Sequence, residues 1–276
     1  MKKTTVRDKL WLFASRAHDD DPYFGRTCEG KIVGCDWSRI TPAEGAFMLG
    51  TPNLMMINSD GIPVPYSRDA KGYLESFCRL KKVLWSCTGS AGFRLGIEED
   101  YICDMKEKYP NLMGGFFDDF AWDPRSCEKR TPEQVKELFT NARNKFDKVS
   151  NDMEIWATCY VEELDSYPAD TFEDVDVLTI WSMHNGSKER YENNFKKYED
   201  AFPGKRKAMG IYMYDYVNRG FIDLDNFKMQ CETSLKWLKE GRIDGIIFLT
   251  NCTMGIKLET EKWLRNWIDE VGEDVL

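Results

Sequence analysis

Histidine is almost missing from this chain: His18 and His184 are the only two in 276 residues. A histidine-built zinc site is therefore not expected, and H-E-x-x-H does not occur. Also missing are the phosphate-loop pattern G-x-x-x-x-G-K-[ST], the dinucleotide turn G-x-G-x-x-G and the serine-hydrolase elbow G-x-S-x-G. No apolar run approaches ~20 residues, so nothing reads as a membrane span. No stretch is strongly basic and the net charge is −9, which argues against nucleic acid as a partner. The nine cysteines are odd in number, scattered and without C-x-x-C. Asp8 and Lys9 interrupt the region where a signal peptide would carry its apolar segment. Reduced thiols in a cytoplasmic protein are the expectation.

What is present is enough apolar material, 42 % of residues, to bury a sizeable core. Short apolar runs rich in aromatic or β-branched residues recur along the chain. They lie at Lys9–Ser15, Asn53–Asn58, Val83–Thr88, Leu112–Phe120, Glu154–Tyr160, Val175–Met183, Ala208–Tyr214 and Ile243–Thr250. They lack polar alternation, the mark of parallel strands buried on both faces. Amphipathic segments intervene: Arg68–Lys81, Ile97–Tyr109, Thr131–Lys148, Lys188–Ala201, Asp223–Glu240 and Leu258–Val271. Thr41-Pro42-Ala43-Glu44 and Thr131-Pro132-Glu133-Gln134 carry an N-cap, a first-turn proline and an acid or amide three residues on. Eight strands alternating with helices predict one α/β domain over 1–276, a (β/α)8 barrel. Lys31–Trp37 reads as an extra strand in the first excursion, or, in the reverse assignment, as the first barrel strand. No Gly-rich first turn supports the rival doubly wound sheet.

Barrel chemistry collects at the C-terminal strand ends. Those ends carry carboxylates, aromatics and amides: Trp37, Trp85, Asp118, Asp119, Trp122, Tyr160, Glu162, Trp181, His184, Tyr212, Tyr214, Asp215 and Asn251. Such a mixture suits sugars, whose ring faces stack on Trp and Tyr while hydroxyls bond Asp, Glu and Asn. Glycoside cleavage needs two carboxyl groups, one to protonate the leaving oxygen and one as nucleophile or base. Asp118 and Asp119 are the first candidates. As strand neighbours they would leave on opposite faces, so at most one would touch substrate, with Asp215 or Glu162 as partner. Thr88-Gly89-Ser90-Ala91-Gly92 reads as a flexible substrate loop. A metal at His18 and Asp19–Asp21 lacks the D-x-D-x-D-G spacing, so neither metal nor cofactor is expected.

At Gly114-Gly115-Phe116-Phe117-Asp118-Asp119-Phe120 the chain resembles the fourth-strand segment of glycoside-hydrolase-like TIM barrels, where an aromatic-Asp strand end carries a catalytic carboxylate. Trp37–Ala46 and Val83–Ser86 look like segments of uncharacterised bacterial proteins of the same type. The D-x-x-D-x-D-x-E pattern of chitinase-like barrels is incomplete, since Ala121 stands two residues after Asp119. The resemblance implies a hydrolase acting on a small glycoside or oligosaccharide. A carbohydrate-binding barrel without catalysis, and a metal-dependent lyase or isomerase, are the alternatives.

Overall fold

The computed structural model describes residues 3–17, 27–28, 31–32, 38–59, 61–182, 186–215 and 220–276. Eight parallel strands close into a barrel. They are β1 (Leu10–Ser15), β2 (Asn53–Ile57), β3 (Lys82–Thr88), β4 (Leu112–Phe117), β5 (Glu154–Tyr160), β6 (Val177–Trp181), β7 (Arg206–Tyr212) and β8 (Gly245–Leu249). Each neighbours the next in sequence, and β8 returns to β1. Among the described residues the helices are α1 (Pro42–Leu49), α2 (Arg68–Ser76), α3 (Glu98–Lys106), α4 (Pro132–Phe146), α5 (Lys188–Ala201), α6 (Leu224–Lys239) and α7 (Glu259–Val271). Between β5 and β6 the chain makes two 3-10 turns, Val161–Glu163 and Ala169–Phe172, in place of an α-helix. The expected (β/α)8 barrel is the observed architecture.

Closure decides which N-terminal candidate is the first strand. Leu10, Trp11, Leu12 and Phe13 lie in parallel register with Ile246, Ile247, Phe248 and Leu249. Lys31–Ile32 instead pairs antiparallel with Thr27–Cys28, and the rest of the Lys31–Trp37 candidate lies outside the described residues.

Both Thr-Pro helix starts form as read. Thr41 and Glu44 make a reciprocal capping box on α1, and Thr131 and Gln134 make one on α4. The α2 helix stops five residues before the expected Lys81. Asn111 explains this: its side-chain amide donates to the Phe77 and Leu80 carbonyls at 2.9 and 3.1 Å, satisfying groups that a helix end leaves open.

Contacts sort the chain into two compact units. The first comprises Met1–Leu54, Trp181–Phe195 and Ala208–Leu276. Its core includes Phe195 stacked on Trp237 at 4.1 Å and Trp263 stacked on Trp267 at 5.8 Å. The second comprises Met55–Ile180 and Lys196–Lys207. There α4 buries Val135, Phe139, Ala142 and Phe146 along one stripe. Phe117, Phe120, Phe139, Phe172 and Phe202 form a chain of ring contacts 5.1 to 5.9 Å apart. No helix of the described residues is long and apolar enough to cross a membrane.

Candidate active site at the β4 exit

The β4 strand depends on its two glycines. Gly114 has φ 151°, and a Cβ there would lie 1.9 Å from the Glu154 carbonyl of β5. A Cβ on Gly115 would lie 2.4 Å from Cys87 Sγ of β3. The strand thus runs close to both neighbours. Beyond it, two buried rings pin the acidic pair from either side. Phe117 and Phe120 each meet Phe139 of α4 edge to face, at 5.1 and 5.3 Å. Asp118 and Asp119 hang between these anchors.

The strand ends at Phe117, so its pleat does not set the direction of the acids. A turn does. Asp118 exchanges two bonds with Thr88 of β3: its N–H donates to the Thr88 carbonyl at 3.0 Å, and its carbonyl accepts the Thr88 hydroxyl at 2.6 Å. Asp119 then takes φ 41°, in the left-handed region. This turn, and not the expected strand alternation, sets the two acids apart.

Asp118 is 7 % exposed, and its Oδ1 accepts the Thr158 hydroxyl at 3.1 Å. Burial pushes its carboxyl well above the usual carboxylate range, and the adjacent Asp119 charge pushes the same way against the Thr158 hydrogen bond. Asp119 is half-buried and accepts on both oxygens: Tyr160 Oη at 2.8 Å on Oδ1 and the Ala91 N–H at 2.8 Å on Oδ2. Two donors and no acceptor suit an ionised carboxylate. The exit thus holds a carboxyl driven toward its neutral form beside one built to carry charge.

The Gly-rich loop after β3 is a fixed part of this site. Ser90 donates its N–H to the Asn58 carbonyl at 3.0 Å, and Ala91 (φ 54°) presents its N–H to Asp119. A Cβ on Gly92 would lie 2.0 Å from the Trp122 carbonyl. The exits of β2, β3, β4 and β5 are therefore joined through Asn58, Ala91, Asp119 and Tyr160. Trp122, 39 % exposed, lies on the short antiparallel pair of Trp122–Asp123 with Glu128–Lys129. Arg130 holds that excursion, donating to the Phe120 carbonyl at 2.6 Å and to the Trp122 carbonyl.

The other sequence candidates fall elsewhere. Glu162 is exposed on the turn after β5, while the next residue, Glu163, is half-buried. The sequence places both glutamates at this strand end and offers no means to choose between them, because which of the two turns inward depends on the 3-10 geometry. Trp85 is fully buried against Tyr101 of α3 at 5.4 Å, in the strand–helix layer and not at a strand end. In the first unit, Trp181 meets Phe13 at 5.5 Å and Tyr212 at 5.0 Å. A Cβ on Gly210 would lie 2.3 Å from the Trp181 ring, so only glycine leaves room for it. Tyr214 is buried, and Asp215 is half-buried opposite Gly220 in a short antiparallel pair.

Asn251 is fully buried and its amide is used up. Its nitrogen donates to the Ser15 and Ile40 carbonyls at 3.0 and 2.7 Å, and its oxygen accepts the Ser15 N–H at 3.0 Å. It ties the β1 exit to the β8 exit and has no donor left for a sugar, which corrects its expected binding role. Trp37 and His184 lie outside the described residues, as do His18 and the acids beside it. Among the described residues no group of three His, Cys, Asp or Glu is placed to hold a metal.

Fold and site together define a (β/α)8 barrel with paired acids at the exit of its fourth strand. Neither the family models nor the curated proteins compared contain a match to the chain. Solved structures do. YKL-39 in the presence of chitooligosaccharides is similar over 97 % of this chain and 100 % of its own, at 12 % identity and TM-score 0.63. The PgaB (BpsB) glycoside hydrolase domain from Bordetella bronchiseptica is similar over 93 % and 98 %, at 10 % identity and TM-score 0.58. The Ostrinia furnacalis Group IV chitinase in complex with allosamidin is similar over 96 % and 100 %, at 13 % identity and TM-score 0.57.

Proposed function

We propose that this protein is a glycoside hydrolase acting on a small glycoside or oligosaccharide, with its chemistry at Asp119. The observation that carries the reading is the asymmetry of the pair. Asp119 accepts hydrogen bonds on both oxygens, while burial drives the adjoining Asp118 toward its neutral form. Cleavage of a glycosidic bond builds positive charge on the anomeric carbon, and a fixed carboxylate stabilises that charge without reorganising. Asp118 serves from behind: burial favours its neutral form, which lessens the repulsion on Asp119. Trp122, 39 % exposed on the excursion that follows the acid, offers aromatic surface. The similar chitinase and PgaB domain support carbohydrate as the ligand class. Hydrolysis of a panel of aryl glycosides and chito-oligosaccharides by the wild type and Asp119→Asn tests the reading.

A carbohydrate-binding barrel without catalysis is the second reading. Human YKL-39 favours it, being a pseudo-chitinase with retained chitooligosaccharide binding. Saturable oligosaccharide binding without turnover by the wild type would select it.

A further inference from the structure

A glycosidase needs a proton donor for the leaving oxygen as well as a carboxylate, and Asp118 is too enclosed to reach one. We propose that Glu163, on the turn after β5, is the second carboxyl of the Asp119 site and protonates the leaving group. This rests on the reading of Asp119 given above.

Three placements carry the proposal. The turn Val161–Glu163 follows directly from Tyr160, whose hydroxyl is fixed on Asp119, so the turn is anchored to that acid. Of its two glutamates, Glu163 is drawn in, with its side chain 17 % exposed, whereas Glu162 stands in solvent. Glu163 also lies 3.9 Å from Lys129 Nζ, on the antiparallel pair that carries Trp122, and the Asp119 charge acts on it.

The groups acting on Glu163 come from each element packed around it. Burial raises its carboxyl above the usual carboxylate range; Asp119 and Glu162 add to this, and Lys129 opposes it. The same burial beside Glu163 raises the Cys159 thiol and the Tyr167 phenol, so neither of these competes as an anion near neutrality. A carboxyl raised by burial on the turn beside Asp119 is suited to give up a proton to a leaving oxygen.

In the step, the anomeric C–O bond breaks and its electron pair goes to the leaving oxygen. That oxygen takes the Glu163 proton and departs as an alcohol. The oxygen of a water molecule bonds to the anomeric carbon, and the proton it releases restores Glu163.

The test compares two substrates of one sugar chosen by the panel: a 2,4-dinitrophenyl glycoside, whose leaving group needs no proton, and a phenyl glycoside, whose leaving group does. Glu163→Gln is expected to lower kcat on the phenyl glycoside by ~100-fold or more, and on the dinitrophenyl glycoside by less than ~5-fold. Equal losses on both, or no loss on either, overturn the proposal. Loss of both activities in Asp119→Asn, with Glu163→Gln unaffected, overturns the proposal while leaving the role of Asp119 standing. A wild type that cleaves neither glycoside overturns both. Carbon-13 NMR titration of the wild type gives a check independent of any variant's folding. The Glu163 carboxyl is expected to titrate above the ordinary glutamate value of about 4.3, and titration at or below it overturns the assignment.

Discussion

Tyr160 donates its hydroxyl to Asp119 Oδ1 across 2.8 Å, tying the end of β5 to the turn that leaves β4. The Ala91 N–H holds the other oxygen from the β3 side. Asp119 is thereby gripped by both neighbouring strand exits. A hydrogen bond to a charged group contributes about 1.5–3 kcal/mol. Tyr160→Phe is expected to keep the fold and the ring packing and to lower kcat by roughly 10-fold or more, read from steady-state kinetics beside a thermal melt.

Asp118 makes stability depend on pH in an uncommon direction. Its folded value lies above the unfolded value near ~3.9, so the folded state keeps a proton that the unfolded chain has already released. Stability is lost as pH rises from the unfolded value toward the folded one, with a slope of up to ~1.4 kcal/mol per pH unit from this group. Asp118→Asn removes that slope and retains an oxygen for the Thr158 hydroxyl. Urea titrations at pH 4 to 8 are expected to show the variant gaining on the wild type as pH rises; parallel curves contradict the assignment.

Gly92 combines φ 70° with a Cβ position 2.0 Å from the Trp122 carbonyl. Gly92→Ala is expected to lose at least ~2 kcal/mol. It should also lose activity beyond its loss of folded protein, since the adjacent Ala91 N–H moves with it. Gly72 lies within α2 with open space around its Cβ position, so Gly72→Ala is expected to stabilise by about 0.5–1 kcal/mol. Chemical denaturation of the two variants side by side reads the contrast.

Asn251→Ala would leave the Ser15 N–H and the Ser15 and Ile40 carbonyls without their partner. The expected cost is about 2–5 kcal/mol, with oligosaccharide affinity per folded molecule unchanged. Denaturation with calorimetric titration separates this from a binding defect.

The barrel was legible because its strands are apolar throughout and its helices announce their starts, as Thr41-Pro42 and Thr131-Pro132 do. What the sequence could not carry were features set by backbone geometry and distant partners. Asn111 ending α2, the left-handed Asp119, the packed Gly89–Gly92 loop and the choice of Glu163 over Glu162 all depend on residues far apart in the chain or on one dihedral angle. Trp85 and Asn251 stood at plausible strand positions, yet neighbours on α3 and β1 had already claimed them.

The central claim is that Asp119 is the carboxylate of a glycosidase. Its most direct measurement is kcat/KM of the wild type and Asp119→Asn on the glycoside that the wild type cleaves best, with circular dichroism confirming the fold of both. The account predicts a loss of at least ~100-fold in the variant. Turnover by Asp119→Asn within a few-fold of the wild type would contradict it.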